Sequence, residues 1–154
     1  MLLLAGCQVG GFGVRGSNSL AQQIRAVGSD QAQGLQIYGL RNPMVSELME
    51  KALQAEMAGR HHQAMQYLRK AQVIEPQAPD ILQQMAEVSV EQSRWTQALT
   101  FAKQSIELGP RVGHLCKRNW RTLALAHQKM GERQEAGKAA ARVALCVRDR
   151  PARF

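Results

Sequence analysis

Cys116 and Cys146 stand 15 residues before and 15 residues after Gly131. If Gly131 marks the turn of a helical hairpin, the two thiols lie level on antiparallel neighbours. A disulfide needs Cα atoms within about 7 Å, and this spacing allows one. The alternative is a pair of free, buried thiols. The third cysteine, Cys7, follows the small residues Ala5 and Gly6, which fit a cleavage site, and Leu2-Leu3-Leu4, which fit the end of an apolar signal core. The four histidines make no site. His61 and His62 are adjacent in an expected turn and point apart, His114 falls in a connection, and His127 falls at a packed mid-helix position, so no metal is expected. No Gly-rich phosphate loop precedes a helix, and no Ser or Asp sits in a nucleophile elbow. No catalytic residue and no cofactor is assigned, and the chain is not expected to be an enzyme.

The elements that would position these residues are set by an internal repeat. Gly59, Ala64, Leu68, Ala71 and Pro76 are followed 34 residues later by Ser93, Ala98, Ala102, Ser105 and Pro110. The pattern returns as Gly131, Ala136, Ala140, Val143 and Arg148, four residues later than a strict period would place it. Upstream of each turn, Leu48 with Ala52, Leu82 with Met85 and Ala86, and Trp120 with Leu123 and Ala124 keep the spacing too. Such a period predicts stacked helical hairpins. Small residues let paired helices approach, glycine lets the chain turn, and Pro76 and Pro110 stop the second helix of their hairpins. Aromatic residues are only 5% of the chain. The core must therefore come from Leu, Met, Val and Ala, which suits close helix packing and not a β-sandwich.

At these residues the chain resembles the tetratricopeptide-repeat family, over roughly residues 45–148. The resemblance implies an all-α fold of about three hairpins stacked as a short right-handed superhelix, with the repeat domain at 43–150 and a tail at 151–154. The second copy is well formed, with Trp95 after its turn, whereas the first has Lys51 at a usually aliphatic position and the third lacks the closing proline. In this family the first helix of each hairpin lines a concave face. The resemblance thus implies a partner-binding groove that includes Met49, Leu53, Gln83, Glu87, Val90, Arg118, Arg121 and Leu125, running from apolar through acidic to basic. The family's dicarboxylate clamp needs Lys and Asn where Met49 and Leu53 stand, so that clamp is not implied.

Leu4-Ala5-Gly6-Cys7 resembles a bacterial lipobox. That resemblance implies cleavage before Cys7 and lipid attachment to its thiol, with 1–7 a signal-peptide remnant whose basic start is expected upstream. Gln8 in place of Asp implies the outer membrane. Residues 8–42, rich in Gly, Ser and Gln, read as a flexible tether, because they offer few large apolar groups to offset folding entropy. Such a tether reaches roughly 30–35 Å and at most about 115–125 Å. Within it, Leu35, Ile37, Tyr38 and Leu40 form a short apolar patch expected to dock on the first helix of the repeats, the alternative being a partner-binding segment.

The net charge of +8 is uneven. Residues 1–110 hold nine basic and nine acidic side chains, whereas 111–154 hold eleven basic against Glu132, Glu135 and Asp149. The basic end fits an acidic protein, an anionic glycan or lipid headgroups, or else is the solvated outer face of a terminal repeat. No row of stacking aromatics accompanies it, so nucleic acid is not expected.

Lipobox, tether and compact repeat domain together resemble the LpoP-type lipoproteins, which activate a bifunctional penicillin-binding protein of peptidoglycan synthesis. The resemblance implies a monomeric, lipid-anchored adaptor on the periplasmic face of the outer membrane. The alternatives are a pilotin-type lipoprotein for secretin and pilus assembly, a family that usually carries more repeats, or a wall-associated scaffold.

Overall fold

The computed structural model describes residues 19–26 and 41–147, and helices are the regular secondary structure among them. A short helix α1 (Leu20–Ala26) is followed by three antiparallel hairpins: α2 (Pro43–Met57) with α3 (His61–Ile74), α4 (Pro79–Glu91) with α5 (Trp95–Leu108), and α6 (His114–Lys129) with α7 (Arg133–Ala144). Cys7, the apolar patch at 35–40 and the tail at 151–154 lie outside the described residues. No helix among the described residues is long and apolar enough to cross a membrane.

The repeated marks do the work their chemistry suggests. Gly59 and Gly131 sit in the left-handed backbone region at φ 72° and 81°, and Ser93, at the same place in the second hairpin, adopts φ 56°. All three hairpins thus turn through one backbone conformation, which glycine adopts at no steric cost and serine at a modest one. Asn42 caps α2 by accepting a hydrogen bond from Met44 N at 2.9 Å, with Pro43 supplying a fixed φ in the first turn. Pro76 and Pro110 follow the ends of α3 and α5. His61 and His62 open α3 and His114 opens α6, so these histidines lie on helices and not in turns or connections.

Packing follows the small residues. Ala52, Ala64, Ala86 and Ala98 have no exposed surface, and Ala124 is buried; Ala136 in the last hairpin is only half-buried. One cluster joins Val45, Met65, Leu68, Ile81 and Met85 across the first two hairpins. A second joins Leu99, Leu123 and Ala139 across the last two, with Trp95 and Trp120 at its edge. The second hairpin is tied across its open end: Ser105 Oγ on α5 donates to the Pro79 carbonyl at the start of α4, at 2.7 Å. The last hairpin is closed by a bond between the Cys116 and Cys146 sulfurs, with Cα atoms 5.7 Å apart. Beside it, Gly113 N donates to the Cys146 carbonyl at 2.8 Å.

Lying between two hairpins, α4 is enclosed on every side. Each residue from Ile81 to Val90 is buried, including Gln83, Gln84, Glu87 and Ser89. Polar groups in such a helix need partners inside the protein.

Residues 19–26 correct the expectation of a tether running from 8 to 42. They form a helix docked on α4 and α6, with Ala21 and Ile24 completely buried. The local reason is a capping box. Ser19 Oγ accepts from Gln22 N, and Gln22 Oε1 accepts from Ser19 N, both at 3.2 Å. The tertiary reason is that Ile24 enters an apolar patch formed by Val90 and Ala98, with Leu20, Trp95 and Leu125 around it. Burying one such side chain contributes about 1.5–3 kcal/mol. Arg41 and Asn42, at the other end of the expected tether, are also held, by ion pairs and hydrogen bonds to Glu75 and Asp80.

Replacing Ala98 by Leu should overpack the meeting point of α1, α4 and α5 and destabilise the protein by about 1–3 kcal/mol. Denaturant unfolding measures this, and an unchanged midpoint would mean that Ala98 faces solvent and the repeat register is wrong.

Candidate functional site

A groove is lined by α2, α4 and α6, and Glu87 lies beneath its centre. Glu87 lies two-thirds along α4, where that helix is enclosed by its neighbours, and its side chain has no exposed surface. Arg118, one hairpin later on α6, meets it with a two-pronged contact: Nε to Oε1 at 2.8 Å and Nη2 to Oε2 at 2.7 Å. Gln83, one turn earlier on α4, donates from Nε2 to Oε1 at 2.9 Å and to Thr122 Oγ1 at 2.8 Å. From the open side, Arg25 of α1 donates from Nε to Oε2 at 2.7 Å. The same guanidinium reaches Glu56 at the end of α2, with Nη2 at 2.9 Å from both carboxylate oxygens. Arg25 thus bridges α2 and α4, while Arg118 bridges α4 and α6.

The electrostatics rank these contacts. Burial by itself pushes the Glu87 carboxyl up, but Arg118 and Arg25 outweigh it and hold the group below its ordinary value. Its stabilising contribution is therefore complete above about pH 4.5 and is lost as pH falls through the lowered folded value. At Glu56 burial wins: its carboxyl is pushed up, and Arg25 offsets this only in part. Glu87, more than Glu56, is the anion that holds Arg25. His114, at the start of α6, bonds the backbone of Arg25, and burial together with Arg118 pushes its imidazole pKa down.

The ends of α1 are fitted to the same groove. Ala21 N, in its first turn, donates to Glu91 Oε1 at 2.5 Å, a carboxylate at the positive end of a helix dipole. Next to α1 the groove stays open as a cavity of about 430 Å³ lined by Met49, Leu53, Ser46, Glu50 and Gln84, with Arg25, Arg41 and Arg118 around it. Arg41 is fixed there by two hydrogen bonds to Asp80, at 2.5 and 2.7 Å, and one to Glu75 at 3.2 Å.

The groove residues read from the sequence divide accordingly. Met49 and Leu53 line the open cavity, and Arg118 borders it. Gln83, Glu87 and Val90 are enclosed and face other parts of the chain, not solvent. Leu125 is half-buried beside Ile24, and Arg121 is exposed on α6. The gradient from apolar through acidic to basic is altered as well, because Arg118 and Arg25 neutralise the acidic centre. Reading from the repeat missed Arg25, Arg41 and the whole of α1, since none belongs to a repeat. The available signal was Ser19-Leu20-Ala21-Gln22, a capping box, followed by Ile24 one turn after Leu20.

Among solved structures, the globular C-terminal domain of P. aeruginosa LpoP matches with a TM-score of 0.64 and 25% identity, covering 68% of this chain and 98% of that one. The resemblance to LpoP is thus shown over nearly the whole of that domain. No protein-family model and no curated protein matches the chain.

Arg118→Ala leaves a fully buried carboxylate with half its counter-charge and should cost about 3–5 kcal/mol. Arg25→Ala leaves the Arg118 contact intact and should cost less, about 1.5–3 kcal/mol. Urea unfolding of the two variants at neutral pH gives the order, and equal losses would show that Glu87 does not depend chiefly on Arg118.

Proposed function

We propose that this chain is a lipid-anchored periplasmic adaptor that binds and activates a bifunctional penicillin-binding protein, acting as a regulator and not as a catalyst. The observation that carries this reading is the match to the LpoP C-terminal domain, which spans 98% of that domain. The lipobox ending at Cys7 supports it by supplying an attachment point, and the stretch up to α1 supplies length. A Cys116–Cys146 bond suits an oxidising compartment, where it would staple the last hairpin of the described residues.

On this reading the activator is anchored at the outer membrane through Cys7, as a monomer, and presents the repeat domain to the periplasmic part of the synthase. Its binding surface is the concave side: Met49 and Leu53 offer apolar contacts and the exposed Arg121 offers charge, and the cross-link of the last hairpin lowers the ordering cost of binding. Activation requires only that the adaptor bind the active state of the enzyme better than the inactive one. A coupling of 1–3 kcal/mol, which is typical, corresponds to about 5–150-fold.

The direct test is glycan polymerisation by the purified bifunctional synthase of the same organism, with and without this chain. The expected result is a faster rate and a complex detectable by surface plasmon resonance. No complex and an unchanged rate would overturn the assignment.

A further inference from the structure

The concave groove is already filled in part by a segment that is not a repeat. Helix α1 has only seven residues, far too few to be stable alone, so its helicity comes from the groove. It is held by three kinds of contact at once. Ile24 sits in the apolar patch of Val90 and Ala98. Arg25 spans the carboxylates of Glu56 and Glu87. Ala21 N meets Glu91 at the other end. This is how a groove reads a helix from outside: apolar anchors one turn apart, plus a charge that fixes register.

We infer that the concave face is a recognition site for a short amphipathic helix with an aliphatic residue followed by arginine, and that α1 is its resident ligand, which a partner helix of the same chemistry displaces. The requirement for a cation follows from burial. Glu87 has no exposed side-chain surface and Glu56 has 5%. An occupant without a positive group at the place of Arg25 would leave these carboxylates covered and short of counter-charge. The requirement for an aliphatic residue follows from the patch that Ile24 covers, which would otherwise face water. Departure of α1 need not collapse the site, because Arg118 and Gln83 still hold Glu87 in place.

Displacement is graded by tethering. Residues 27–40 join α1 covalently to α2, so α1 meets the groove at an effective concentration on the order of millimolar. An external helix must therefore bind well enough to beat a local competitor, and this filters out weak ligands. The inference rests on the concave face being the partner surface. Its test uses no synthase, so failure here leaves the proposed activity standing, and failure of activation leaves this groove chemistry standing.

The experiment uses the intact chain and an end-blocked peptide of residues 19–26, followed through the methyl signals of Val90 and Leu125. In the double variant Ile24→Ala/Arg25→Ala the resident helix is weakened. The peptide should bind this variant about tenfold or more tightly than it binds the wild type. A peptide carrying Arg25→Glu should lose about tenfold or more in affinity for the variant. If the double variant loses cooperative unfolding, the single variant Arg25→Ala is read in the same way. Equal affinity for variant and wild-type chains, indifference to the arginine, or no shift of Val90 and Leu125 at millimolar peptide would overturn the inference.

Discussion

A carboxylate with no exposed surface must be given its counter-charges by the protein, and Glu87 receives them from two directions. Arg118 comes from the hairpin that follows and Arg25 from the helix that precedes the repeats. Moving an isolated carboxylate out of water costs several kcal/mol even after relaxation, so the third hairpin cannot shift far without exposing that penalty, and whatever covers the groove in place of α1 has to bring a cation of its own. The position of Glu87 in the sequence makes this a constraint on the whole array. It lies on the one helix that is enclosed by both neighbouring hairpins. The Arg118 contact sets how α6 sits on α4, and the Arg25 contact sets what lies across the concave face.

This arrangement changes how the basic C-terminal region is understood. By count, residues 111–154 carry a large positive excess. Several of those charges are engaged within the protein: Arg118 on Glu87, Arg142 over the Trp120 ring at 5.6 Å, and Lys138 on Glu135 at 2.7 Å. What remains exposed is a smaller set that includes Arg121. Electrostatic steering by the remainder would raise the rate of encounter with an acidic partner more than it would raise affinity.

Much of the fold was legible because repeats impose the same local demand three times. Ala64 and Ala98 have to be small where helices meet, and a residue tolerant of positive φ has to stand at positions 59, 93 and 131. Ser93 shows the limit of composition: the demand is on the backbone, and a serine meets it. The symmetry of Cys116 and Cys146 about Gly131 allowed a disulfide without requiring one, and the structure joins them. The occupant of the groove was hidden for a different reason. Ser19–Ala26 lies among residues of low hydrophobicity, and its capping box alone does not hold a seven-residue helix without the tertiary contacts. Likewise Glu87 reads as a solvent-facing groove residue by register, because register tells which side of the helix a residue is on and not whether that side is covered. The apolar groove residues Met49 and Leu53 kept their expected exposure to the open cavity because α1 stops short of covering them.

The account turns on whether α1 occupies the concave face of the protein in solution. Amide hydrogen exchange of the intact chain measures this residue by residue. If α1 is docked, the amides in the second half of the helix, from Gln23 to Ala26, should exchange more slowly than those of an unstructured chain by about 10- to 100-fold, since a docking free energy of about 1.4–2.8 kcal/mol corresponds to that range. Arg25→Ala should remove that protection while leaving the amides of α4 slow. Exchange of Gln23–Ala26 at the unprotected rate in the wild-type chain would contradict the account, and the groove would then be open along its whole length.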